Sequence, residues 1–78
     1  MVRGEFTIYP FIEGKDLPHH VQVAIDAINE AGLEVELGPL GTTVSGSAEQ
    51  VLDALHRAQS AALAAGASLI VLRLEVEE

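Results

Sequence analysis

No cysteine occurs among the 78 residues, which removes disulfides, thiolate metal sites, iron–sulfur ligation and a thiol nucleophile in one step. A reducing compartment suits such a chain, and a cytoplasmic location is the expectation. Tryptophan is also absent and aromatics reach only 4%, so the 49% of hydrophobic residues must form an aliphatic core of Val, Ile, Leu and Ala. Basic residues are scarce: 4 Lys and Arg against 12 Asp and Glu leave a formal net charge of −8. That balance opposes a phosphate backbone or an anionic membrane surface, so neither nucleic acid nor a membrane is expected as a partner. It favours a cationic ligand, although acidity also serves solubility alone. Long apolar runs are missing too. The longest, Ala61 to Ala65, is too short to span a bilayer. Met1 is followed by Arg3, Glu5 and an alternating segment, so no secretory signal is expected.

A chain of this length is expected to form one domain, residues 1–78, near the size at which burial only just outweighs conformational entropy. At about 0.05–0.15 kcal/mol per residue, its folding stability is ~4–12 kcal/mol. Oligomerisation would add to that, and at least a dimer is expected.

Gly4 to Phe11 alternates, with Phe6 and Ile8 on one face and Glu5, Thr7 and Tyr9 on the other, the period of a half-buried strand. Pro10 closes it. Asp16 is placed to cap a helix that tolerates Pro18 in its first turn. Val21, Ala24, Ile25 and Ile28 recur at helical spacing, and Gly32 stands where a left-handed residue is wanted. These signals predict a first helix from Leu17 to about Ala31. Leu33 to Leu37 alternates, Gly38-Pro39-Leu40-Gly41 turns, and Thr42 to Gly46 offers a second β-rich run, which reads as a hairpin.

Ser47 with Gln50 three residues on is a capping-box pattern opening a second helix. The apolar stripe of that helix runs through Val51, Leu55, Ala58 and Ala62, with Leu52 and Leu63 widening it, and Gly66 ends it. Ser68 to Val76 alternates again, with apolar residues on both sides, and predicts a strand buried on both faces.

Strand, helix, strand, strand, helix, strand is a split βαβ pair. Right-handed crossovers fold it into an α+β, ferredoxin-like βαββαβ domain: a four-stranded antiparallel sheet with both helices on one face. Phe6, Ile8, Val35, Leu37, Val44, Ile70, Leu72 and Leu74 are expected on the core face. The other face, with Glu5, Thr7, Tyr9, Glu34, Glu36, Thr43, Ser45, Leu69, Val71, Arg73 and Glu75, is part apolar and part polar, a composition common at subunit interfaces.

Little in the chain supports catalysis, and no catalytic residue, metal ligand set or cofactor site is assigned. His19 and His20 are adjacent, point about 100° apart on a helix and cannot chelate as an i, i+4 pair does; with His56 they read as surface residues. Gly41 and Gly46 flank a strand and make no phosphate-binding nest. Ser45, Ser47, Ser60 and Ser68 have ready readings as strand, cap and loop residues. Glu34/Glu36 and Glu75/Glu77 lie at i, i+2 on strands, as solvated charges do.

The most specific stretch is Glu36-Leu37-Gly38-Pro39-Leu40-Gly41-Thr42-Thr43-Val44-Ser45-Gly46. It resembles the hairpin of the thiamine-binding family related to YkoF, which carries a Glu, a turn and Gly-Thr-x-Val/Ile-x-Gly leading into the second helix. Phe6-Thr7-Ile8-Tyr9-Pro10 is similar to that family's first strand, and Ala65-Gly66-Ala67 to its turn into the last strand. The match covers nearly the whole chain through order, spacing and total length together.

The resemblance implies a ferredoxin-like fold, a homo-oligomer (dimer or tetramer), and binding of thiamine or its hydroxymethylpyrimidine half without turnover. Thiamine joins an aminopyrimidine to a cationic thiazolium, which call for hydrogen-bonding groups, carboxylates and aromatic faces. On that implication Glu36 accepts from the amine or faces the cation, Thr42, with Thr43 beside it, donates to a ring nitrogen, and Tyr9 offers a π face. Gln59 stands where relatives carry a His on the second helix; it can hydrogen-bond a pyrimidine but carries no charge. The short Glu77-Glu78 end is expected to leave such a site uncovered.

Two other readings stay open. A ferredoxin-like sensing or assembly module would bind an amino acid or a protein partner. An enzyme would use carboxylates of the open sheet face as acid and base.

Overall fold

The computed structural model describes residues 1–10, 18–38 and 41–77. Its elements run β1 (Val2–Tyr9), α1 (His19–Glu30), β2 (Val35–Leu37), β3 (Thr42–Gly46), α2 (Ala48–Ala64) and β4 (Leu69–Val76). All strand pairs are antiparallel and the sheet order is β2-β3-β1-β4. This is the ferredoxin-like α+β fold expected from the split βαβ pattern.

Alternation along β1 sends Gly4, Phe6 and Ile8 toward the helices, where all are buried. Val44 of β3 joins them, and from above come Ala24 and Ile28 of α1 with Val51, Ala54, Leu55, Ala58 and Ala62 of α2. The aliphatic core is thus closed by small alanines on both helices, which let the helix layer approach the sheet closely. The helix ends follow their sequence signals. Ser47 accepts a hydrogen bond from the Gln50 backbone N–H, and the Gln50 side chain reaches back to the Ser47 N–H. Gly32 and Gly66, with φ of +90° and +104°, hold the left-handed positions after the two helices.

Several expectations are corrected. The first helix begins at His19, and Pro18 occupies the position before it without a side-chain cap; the expected cap Asp16, with Leu17, lies outside the described residues. β2 is three residues long, shorter than the alternating Leu33 to Leu37. His20 is not a surface residue: it is buried, and its Nε2–H donates to the Pro10 carbonyl at 2.7 Å.

Leu52 and Leu63, expected to widen the buried stripe of α2, are exposed. They lie on the flank of the helix, beyond the arc that the sheet covers. The largest departure is β4, where the expected burial on both faces fails. Leu69 and Val71 on the open face, and Leu72 and Leu74 on the helix face, are all exposed, as is Leu37 of β2. The cause is topological. β4 is an outer strand, bonded along one side only, and two helices do not cover a four-stranded sheet out to its edges.

Candidate functional site

Strand register decides which candidate side chains meet. Gly38 N–H donates to the Gly41 carbonyl at 2.8 Å, closing the β2–β3 turn and fixing which residues meet across it. Glu36 then stands opposite Thr43, Thr43 opposite Glu5, and Glu5 opposite Arg73. This row crosses all four strands on the open face, the face away from the helices. Adjacent strands lie about 4.8 Å apart, so Glu36 and Glu5 flank the Thr43 hydroxyl at a separation of ~10 Å. No ion pair reaches Glu36 or Glu5 among the described residues.

A second row runs beside the first, with Ser45 opposite Arg3 and Arg3 opposite Glu75. The two rows enclose a shallow depression of ≈ 270 Å³ lined by Arg3, Glu5, Arg73 and Glu75. Arg73 Nη2 lies 2.6 Å from Glu75 Oε1. One half of the open face is therefore a field of alternating charges, and its hairpin side is purely acidic.

The sequence-expected residues divide between the two sides of the sheet. Glu36 and Thr43 come together as direct cross-strand neighbours. Tyr9 shares their face, opposite Leu69 and half exposed, but sits four residues beyond Glu5, or ~13 Å along the strand. Thr42 does not join them. It pairs with Phe6 and Leu37, points to the helix side and is buried. Gln59 is half-buried on α2, also on the helix side. Thr42 and Gln59 thus cannot contact a ligand seated on Glu36 and Thr43 from the open face.

Sequence reasoning gave no role to Glu5 and Arg3, whose place in the rows follows only from register. It also missed His20, although His20, Ala24 and Ile28 fall at i, i+4, i+8, a spacing that marks the buried stripe. Among the described residues no group of His, Asp and Glu gathers as a metal would need, and no helix is long and apolar enough to cross a membrane.

Known proteins share this architecture and sequence pattern. The model of the family described as thiamine-binding protein matches residues 4–78. The UPF0045 protein CPE1503 of Clostridium perfringens (strain 13 / Type A) is 26% identical over 70 residues, 90% of this chain and 74% of its own. Among solved structures, a domain of unknown function, DUF77, from Bacillus cereus superposes with a TM-score of 0.71 at 30% identity, covering 99% of this chain and 74% of that one. A Thermotoga maritima protein proposed to serve thiamine biosynthesis or salvage gives a TM-score of 0.66 at 28% identity, over 95% of this chain and 78% of its own. With 75 consecutive residues matched by the family model on the ferredoxin-like fold it shares with these relatives, the chain belongs to the thiamine-binding protein family.

Proposed function

We propose that the chain, acting as one domain over residues 1–78 in the cytoplasm, binds thiamine or its hydroxymethylpyrimidine half without turning it over, for salvage, transport or buffering. The observation that carries this reading is the Glu36–Thr43–Glu5 row in a chain of the thiamine-binding family. Two carboxylates ~10 Å apart leave room for one heteroaromatic ring with a hydrogen bond of about 2.9 Å on either side. Glu36 accepts from the exocyclic amine, the Thr43 hydroxyl donates to a ring nitrogen, and Glu5 offsets the thiazolium charge. Tyr9, farther along the same face, serves a distal part of the ligand or a neighbouring subunit. Thr42 and Gln59 support the hairpin and the helix layer from the other side.

An open face this shallow shields a ligand poorly, and a homo-oligomer, dimer or tetramer, supplies the missing wall. This reading assigns Glu36, Thr43 and Glu5 to holding the ligand and asks for no catalytic step.

Variants test the assignment. Glu36→Gln removes a charge-assisted hydrogen bond worth about 1.5–3 kcal/mol, so thiamine binding weakens by ~10–150-fold. Thr43→Val weakens it by about tenfold, and Thr42→Val leaves it within about twofold. Calorimetric titration reads all three. A loss in Thr42→Val with none in Thr43→Val would move the site to the helix side of the sheet.

A further inference from the structure

The open face continues past Glu5 into the shallow depression of ≈ 270 Å³ lined by Arg3, Glu5, Arg73 and Glu75. Of these two guanidinium groups and two carboxylates, the ligand reading uses Glu5 alone. Register sets the four as a checkerboard, with Arg3 opposite Glu75 and Glu5 opposite Arg73. Cross-strand ion pairs would let them cancel two by two. The structure pairs them otherwise. Arg73 turns along its own strand to Glu75, at 2.6 Å, and neither Arg3 nor Glu5 has an ion pair among the described residues. Arg3 is exposed and Glu5 half-buried, so the depression keeps one unpaired guanidinium and one unpaired carboxylate, whose Cα atoms lie ~7 Å apart along β1.

The charges decide what fits there. Arg73 and Glu75 sum to zero. With the thiazolium cation on Glu5, that carboxylate is matched too. Arg3 is then the one unmatched charge lining the depression, and it calls for an anion on the ligand itself. Thiamine has a place for one, because its thiazolium ring carries a hydroxyethyl arm whose hydroxyl can be esterified. The row Glu36, Thr43, Glu5, Arg73 spans three strand spacings, ~14 Å, in the order acceptor, donor, anion, cation. An amine, a ring nitrogen, a thiazolium and an esterified arm follow in the same order along the ligand.

We propose that the depression is the phosphoryl subsite of this ligand site, and that the chain prefers the phosphate monoester of thiamine to thiamine itself. The inference rests on the thiamine reading of the Glu36–Thr43–Glu5 row. Arg3 donates paired hydrogen bonds to the phosphoryl oxygens, the fork geometry in which guanidinium meets phosphate. Arg73, held by Glu75, presents its remaining N–H groups from the facing strand. A monoester carries about −1.5 to −2 charges at neutral pH, close to what Arg3 and the shared Arg73 offset. A diphosphate adds charge that finds no further cation beside Glu5, Glu36 and Glu75.

Calorimetric titration of the parent chain with thiamine, its monophosphate, its diphosphate and inorganic phosphate tests this. The monoester is expected to bind about tenfold tighter than thiamine, the diphosphate no tighter than the monoester, and inorganic phosphate without measurable heat. Arg3→Gln should bring the monoester down to the affinity of thiamine, while thiamine itself stays within about twofold. Glu75→Gln makes the opposite change. It releases Arg73, so the monoester tightens by about threefold, a gain that a damaged fold cannot imitate.

Thiamine binding with no preference for the monoester overturns the subsite and leaves the thiamine reading standing. No heat with either compound overturns both. Heat with the monoester alone supports the subsite and replaces the unphosphorylated ligand in that reading. Monoester affinity unchanged in both Arg3→Gln and Glu75→Gln, a diphosphate bound more tightly than the monoester, or inorganic phosphate bound as tightly as the monoester each overturns the subsite.

Discussion

Gly41→Ala probes how tightly the hairpin is held against β1. Gly41 sits at the turn end of β3, and a Cβ built there falls 2.9 Å from the Phe6 carbonyl oxygen and 3.1 Å from Thr7 Oγ1. Carbon and carbonyl oxygen meet comfortably no closer than about 3.3 Å, so β3 must withdraw from β1 by roughly 0.4 Å. The obstacle is backbone in the sheet ladder, not the free end of a side chain, so it cannot turn aside. Overpacking of this sort costs ~1–3 kcal/mol. Against a folding stability of about 4–12 kcal/mol, that is a large share. A loss of ~2 kcal/mol lowers the melting temperature by about 8–16 °C in a domain of this size.

Gly32→Ala is the comparison, because nothing lies within 4 Å of the added methyl but φ is +90°. It suffers only backbone strain, ~1–2 kcal/mol, and precedes β2 at the end of the hairpin away from the Gly38–Gly41 turn. Urea unfolding at fixed protein concentration measures both, and thiamine titration follows the site. Gly41→Ala should lose stability and ligand affinity together, and Gly32→Ala stability alone. A Gly41→Ala protein within about 0.5 kcal/mol of the parent would refute the close packing of β3 on β1.

Two further substitutions test the local signals. Ser47→Ala removes the hydroxyl arm of the capping box and leaves the arm from the residue 47 backbone N–H to Gln50, so it should cost ~0.5–2 kcal/mol, read as a lower urea midpoint with the slope unchanged. His20→Phe keeps the buried ring but strands the Pro10 carbonyl, with an expected loss of ~1–3 kcal/mol. His20→Gln, which keeps a donor, should recover part of it.

Period and punctuation made the element order legible: Gly32, Gly66 and the Ser47–Gln50 pair marked helix ends that the structure keeps. Alternation tells which residues share a face, but not whether anything covers that face. Leu72 and Leu74 read as core for that reason, and their exposure became visible only once β4 was placed outermost. The same limit applies to Leu52 and Leu63, which lie one step around α2 from a buried stripe whose width the sheet decides.

At the site, Glu36 and Thr43 were named as separate candidates, and only the register set by the Gly38–Gly41 turn makes them neighbours. Period two already separates Thr42 from Thr43, since adjacent strand residues face opposite ways. Family resemblance supplied both threonines, and the fold divides them. The burial of His20 follows from its place in the α1 stripe with Ala24 and Ile28, whereas its hydrogen bond to the Pro10 carbonyl, ten residues away, is encoded by no local spacing.

The measurement that bears most directly on the central claim is a calorimetric titration of the parent chain with thiamine, followed by mass spectrometry of the recovered ligand. Saturable heat, with the ligand returned unchanged, is the predicted result. No heat and no thermal shift with thiamine or hydroxymethylpyrimidine at high protein concentration would contradict it.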